Sequence, residues 1–265
     1  MKIFCLIVSF LLSNNLFAEA PLSKKELAQK LSNPISSLIS VPVDFNYDSN
    51  IGPKDDGTSS SITIKPVIPI KINEDWNLIS RTIVALSSTH NIVPNSGTVN
   101  GMSDISQSFY FSPDKPTENG WIWGVGPTLL IPSASDDLLG SEKWAAGPTG
   151  VILKQEGHWT YGVLASQTWS FSGDDDREDI NSIYFDIWLA YSTDNGYTYS
   201  IEIEPAYDWN VNDGGVSTNI LLTKITTIGD QLVSLGGGFK YWPNSTTNGP
   251  ENFGAILQIT FLFPQ

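Results

Sequence analysis

Residues 180–210 read INSIYFDIWLAYSTDNGYTYSIEIEPAYDWN. On both sides of Asp194-Asn195-Gly196 the side chains alternate in character. Ile183, Phe185, Ile187, Leu189 and Tyr191 fall on one face, with Tyr184, Asp186, Trp188 and Ala190 on the other. Past the turn, Tyr197, Tyr199, Ile201 and Ile203 alternate with Thr198, Ser200, Glu202 and Glu204. Period-two alternation around Asn-Gly predicts a β-hairpin, with a type I′ turn at Asn195-Gly196. Each arm runs about ten residues or more, beyond the roughly 5–6 typical of globular strands and close to what a tilted strand needs to cross a bilayer. One face is apolar and the other carries carboxylates.

Working outward, the same pattern recurs. Val41, Val43, Phe45 and Tyr47 alternate with Pro42, Asp44, Asn46 and Asp48. Further alternating segments predict strands over 60–71, 76–88, 104–112, 120–131, 143–155, 158–171, 215–228, 231–242 and 251–263, with residues 90–103 read as a long loop. Connections alternate between short turns of Asn, Asp, Gly and Glu and longer acidic loops, the 112–120 connection being longer than its class. Aromatic residues gather near strand ends: Trp76, Trp121, Trp123, Trp159, Tyr191, Tyr197, Tyr199, Trp209, Tyr241 and Trp242. The expectation is an all-β transmembrane antiparallel β-barrel of about 12 strands, flanked by aromatic girdles. A secreted β-sandwich is disfavoured by the strand lengths.

The N-terminus has a different pattern. Lys2, the apolar run Ile3–Leu12 and Ala18-Glu19-Ala20 fit a signal peptide over 1–20. Residues 21–39 read as a short N-terminal periplasmic helix or segment, with Ser23 and Glu26 spaced as a capping box and Asn33-Pro34 as its stop. Residues 40–265 form the barrel. The localisation expected is the outer membrane of a Gram-negative cell, reached by export through the periplasm.

Composition narrows the chemistry. Twenty-eight acidic against 14 basic residues give a formal charge of −14, which excludes nucleic acid as a partner. Cys5, the one cysteine, lies in the signal segment, so the mature chain has no disulfide, thiolate metal site or cysteine nucleophile. The acidic runs Asp136-Asp137 and Asp174–Asp179 lack the ligand alternation and glycine of a calcium loop. His90 and His158 are far apart and force no triad. No catalytic residue, metal or cofactor is expected, and no enzyme activity.

Polar residues opposite the apolar band are the candidate site. A charge facing lipid at mid-depth costs roughly 2–4 kcal/mol for Arg or Lys. Lys65, Arg81, Asp186, Glu202 and Glu204 are therefore expected to face the lumen along a solute path, with Asp44, Asn46 and Gln258 beside them. The expected function is a passive channel or transporter for small solutes. The alternative is a structural or adhesive barrel with a plugged lumen and acidic surface loops. The expected partners are outer-membrane lipids and lipopolysaccharide, the barrel-assembly machinery that reads the terminal strand, and a small-molecule solute. The terminal strand ends in Phe261 and Phe263, followed by Pro264 and Gln265.

Several stretches resemble a known family. Residues 33–42 read NPISSLISVP, 51–53 read IGP, and 65–84 read KPVIPIKINEDWNLISRTIV; Gly126-Pro127-Thr128 and Gly147-Pro148-Thr149 form a repeated pair. These resemble the bacterial outer-membrane barrels labelled "transporter" or neuromedin U, and are similar to the meta-pathway phenol-degradation barrel family. The resemblance covers essentially the whole mature chain. It implies an outer-membrane β-barrel and assigns no catalytic residues.

Overall fold

The computed structural model describes residues 22–264; the signal segment expected over 1–20 lies outside them. A helix, α1 (Lys24–Leu31), precedes β1 (Ile39–Ile51), β2 (Gly57–Ile64), β3 (Val67–Lys71), β4 (Trp76–His90), β5 (Thr98–Met102), β6 (Ile105–Pro113) and β7 (Trp121–Ile131). There follow β8 (Lys143–Glu156), β9 (Trp159–Gly173), β10 (Asn181–Ser192), β11 (Tyr197–Asp208), β12 (Asp213–Ile228), β13 (Gln231–Asn244) and β14 (Asn252–Phe263). Successive staves pair antiparallel, and β14 returns to pair with β1 from Ile39↔Phe263 to Tyr47↔Ala255. The result is a closed barrel of 12 staves with one short helix.

Two staves are each made of two strands. Pro66 has no N–H to donate, so the second stave breaks at Lys65-Pro66 between β2 and β3. The fourth is β5 and β6, both paired to β4. This corrects the sequence reading of 90–103 as loop. Thr98-Val99-Asn100-Gly101-Met102 lacks the lipid-facing alternation of a membrane strand, yet it extends the sheet beyond that band.

The hairpin read first is β10–β11, and its turn differs from the expected one. Gly196 has φ +79°, whereas Asn195 keeps a negative φ. Gly196 N–H donates to the Thr193 carbonyl at 3.0 Å and Thr193 N–H to the Tyr197 carbonyl at 2.8 Å. This is a four-residue turn ending in a left-handed glycine, the longer-loop solution to the same reversal. Ile187, Leu189, Tyr199, Ile201 and Ile203 are exposed on the outer wall, as are Phe45, Ile62, Ile220, Leu222 and Leu257 from other staves. This apolar surface is what a bilayer covers.

Aromatic pairs rim both ends. At the short-turn end Trp76 meets Trp123 edge-on at 6.0 Å and Trp159 meets Tyr191 at 4.8 Å. At the long-loop end Tyr207 meets Trp209 at 4.8 Å and Tyr241 meets Phe253 at 5.0 Å. The long loops there are held by local pairs. Lys143 Nζ lies 3.0 Å from Asp179; hydrogen bonds from Lys143 and then Ser170 hold the Asp179 carboxyl below its ordinary range.

The two Gly-Pro-Thr segments lie side by side on β7 and β8, with Pro127 opposite Pro148. The regular pairing with the outer neighbours lapses at the same level. β6–β7 skips from Ser108↔Thr128 to Phe111↔Val125, and β8–β9 from Ala146↔Trp169 to Thr149↔Ser166. A Cβ on Gly126 would overlap the Phe109 carbonyl oxygen, and one on Gly147 the Gln167 carbonyl oxygen. Inward hydroxyls bridge this seam: Ser108–Thr128 at 2.9 Å and Tyr110–Thr149 at 3.2 Å.

Candidate lumenal site

The lumen is built from the bottom by the N-terminal segment. Ser23 Oγ accepts from Glu26 N–H, and Glu26 accepts from Ser23 N–H at 2.7 Å, so the capping box closes. Leu27 and Ala28 on the buried face of α1 join Leu38, Ile225 and Leu262 in one apolar cluster. The helix is tied to the short-turn end: Gln29 Nε2 donates to the Gly157 carbonyl at 3.0 Å and Gln155 Nε2 to the Gln29 carbonyl at 2.7 Å. The chain then runs up inside. Ile35, 4% exposed, packs among Val67, Ile79, Tyr110, Val151, Leu153, Leu164 and Trp188. Part of the lumen is thus filled with apolar side chains around Ile35.

The rest is a polar cavity of about 440 Å³. On β1 its wall includes Ser40, Pro42, Asp44, Asn46 and Asp48, about 27 Å of tilted strand at ~3.4 Å per residue. Lys65 and Arg81 line it from the second and third staves, and Asp186, Glu202 and Glu204 from the eighth and ninth. Opposite charges therefore face each other across the lumen. Asn46 and Gln258 line it too. Period-two geometry explains the placement, because each of these residues alternates with a lipid-facing apolar neighbour.

The charges differ in how they are held. Lys65 Nζ lies 2.8 Å from Asp44 Oδ2, and Gln258 donates to Asp44 Oδ1 at 2.9 Å. Glu204 accepts from Tyr184 at 2.6 Å, Ser217 at 2.9 Å and Asn219 at 2.7 Å. Asp48 accepts from Trp242 Nε1 at 3.0 Å and lies 3.7 Å from Lys240 Nζ. Arg81 sits beside Tyr110, Tyr184 and Asp186 but forms no ion pair within 4.0 Å among the described residues, and neither do Asp186 and Glu202. Pro205, which has no N–H, causes β10–β11 pairing to skip Phe185 and Asp186, leaving Asp186 on a locally irregular wall.

Sequence reading missed Ile35, Trp188 and Asn219 as parts of this site. Trp188 and Asn219 were readable from their parity on β10 and β12; Ile35, in a non-repeating segment, was not. Asp44→Ala should destabilise the barrel by about 1–3 kcal/mol. It strands Lys65 and Gln258, and the cost stays below that of a fully buried pair because Lys65 is 33% exposed. Urea unfolding in lipid vesicles reads this directly.

His158 Nδ1 lies 2.7 Å from the Ser192 carbonyl oxygen, and its ring stacks on Tyr191; His90 Nδ1 lies 2.9 Å from Thr98 Oγ1. The two histidines thus sit at opposite ends of the barrel. Among the described residues no group of three or more His, Cys, Asp and Glu is arranged to hold a metal.

Neither a protein-family profile nor any curated protein matches the sequence. Solved structures do match the fold. A crystal structure of an outer-membrane channel from Pseudomonas putida F1 has a TM-score of 0.68 at 13% identity, covering 95% of this chain and 100% of the other. The NanC porin has a TM-score of 0.50 at 11% identity, covering 86% and 100%. Outer membrane phospholipase A from Escherichia coli has a TM-score of 0.50 at 11% identity, covering 92% and 99%. The last likeness corrects the expectation that enzyme activity is absent. An active site needs only a few side chains grafted on a wall or rim, so a barrel of this shape excludes no such chemistry. The fold is that of the bacterial outer-membrane barrels, channels and porins among them.

Proposed function

We propose that this barrel is a passive channel for small solutes, constricted at its short-turn end by α1 and the segment that follows it. The observation that carries this reading is the polar cavity inside the wall, with its opposed charges along a large part of the membrane thickness. A wall meant only to be filled would pair or exclude its charges; here Arg81, Asp186 and Glu202 form no ion pair within 4.0 Å among the described residues. The family resemblance of residues 65–84 supports the outer-membrane barrel and no particular solute. Outer-membrane lipids, lipopolysaccharide among them, would surround the aromatic belts, and the assembly machinery would read β14. Lys65 and Arg81 would set the positive wall, and Asp186, Glu202 and Glu204 the negative one.

The cavity is lined by five carboxylates, Asp44, Asp48, Asp186, Glu202 and Glu204, and three cations, Lys65, Arg81 and Lys240. A net negative lumen attracts cations. Planar bilayers with a salt gradient should therefore give single-channel currents whose reversal potential favours potassium over chloride. Silence from both the full chain and a chain without residues 22–38 would end the channel reading. It would leave the plugged structural barrel, which the burial of Ile35 and Leu38 favours.

A further inference from the structure

The lumen charges divide into two groups. Asp44 with Lys65, Asp48 with Lys240, and Glu204 with its three donors are satisfied by the wall. Arg81 reaches from β4 to the side of Asp186 on β10, yet neither it nor Asp186 nor Glu202 forms an ion pair within 4.0 Å among the described residues. Charges inside a wall of low polarity are costly unless compensated. A singly charged solute compensates one wall and is repelled by the other, and an uncharged solute compensates neither.

We propose that the cavity is a selectivity site for small zwitterions of the α-amino-acid class, whose carboxylate faces Arg81 and whose ammonium faces Asp186 and Glu202. Two further groups point to a ligand with both donors and acceptors. Among the described residues, the buried Trp188 Nε1 and Asn219 Oδ1 have no hydrogen-bond partner. Their residues are 8% and 3% exposed and line the same cavity. Trp188 can donate to a carboxylate, and Asn219 can accept from an ammonium. The volume of about 440 Å³ falls within the roughly 300–1,000 Å³ usual for small-molecule sites. This assignment rests on the channel reading above and names its solute class.

The test compares alanine with lactamide, its uncharged isomer of the same formula, entering proteoliposomes that contain the full chain. At low concentration alanine should enter at least about tenfold faster, a preference of about 1.4 kcal/mol. Arg81→Gln and Glu202→Gln should each bring that ratio towards one, and Arg81→Lys should keep most of it. Because the ratio is read within one vesicle preparation, differences in folded protein cancel. Equal entry of alanine and lactamide through the unmodified protein would overturn the assignment while leaving the channel intact. So would ethylammonium entering as fast as alanine with no effect of Arg81→Gln, since the lumen would then select cations alone. If neither solute enters and no current flows, both readings fall.

Discussion

A chain lacking residues 22–38 is expected to carry severalfold more current per channel than the full chain. The removed segment supplies Leu27, Ala28, Ile35 and Leu38, all buried within the barrel, and with them the contacts that close its short-turn end. Each stave remains paired on both sides without it, since α1 donates no strand hydrogen bond. The point variant Ile35→Ala should act in the same direction. It removes an isoleucine packed against Val67, Ile79, Tyr110 and Trp188, at a cost of about 2–5 kcal/mol. A loss of that size shifts docking of the segment by about 30-fold or more. The variant should flicker between the low conductance of the full chain and the high conductance of the truncated one. Identical currents from all three proteins would show that the segment lies outside the conducting path.

Gly147→Val should prevent the barrel from assembling at all. A Cβ at this position would overlap the Gln167 carbonyl oxygen of β9, a backbone atom that cannot turn away. The site has little to give, because Pro148 beside it already lacks a ladder donor and faces Pro127. We expect a loss above about 4 kcal/mol, in the class of overpacked backbone contacts. Folded barrels migrate differently from boiled ones in detergent gels, and the variant should show only the unfolded band. Gly150→Ala on the same strand is the matched control: its Cβ would meet Val125 at an ordinary 3.5 Å, so the folded band should persist. A folded Gly147→Val protein would mean that β8 and β9 can separate at the seam.

The sequence made much of the wall legible because lipid and lumen impose opposite demands at every second residue. Asp186, Glu202 and Glu204 could be turned inward from alternation alone, and Ser23 with Glu26 announced α1. What alternation cannot reveal is which residues meet across the lumen. Asp44 comes from β1 and Lys65 from the β2–β3 break, and their pairing depends on register. Pairing likewise leaves Arg81, among the described residues that line the cavity, a cation with no carboxylate within 4.0 Å. Ile35 was hidden for a related reason. It lies in a stretch without period, and its neighbours come from β3, β4, β6, β8, β9 and β10. β5 escaped notice because its small and polar residues stand beyond the lipid band, where no alternation is imposed. The Asn195-Gly196 pair marked the reversal correctly, but the observed turn closes one residue earlier, between Thr193 and Gly196, with Asn195 at negative φ.

The junction of β1 with β14 carries a consequence for biogenesis. Ile39 pairs with Phe263 and Tyr47 with Ala255, so the contacts that complete the cylinder join opposite ends of the chain. Until the last strand has been made and delivered, both margins of the sheet carry unpaired amides and carbonyls. Such margins template pairing with other chains, and contacts this distant in sequence form slowly. The nascent protein therefore passes through a vulnerable interval whose length is set by the arrival of β14. Shielding in transit is a requirement of the topology itself, whatever the finished pore conducts.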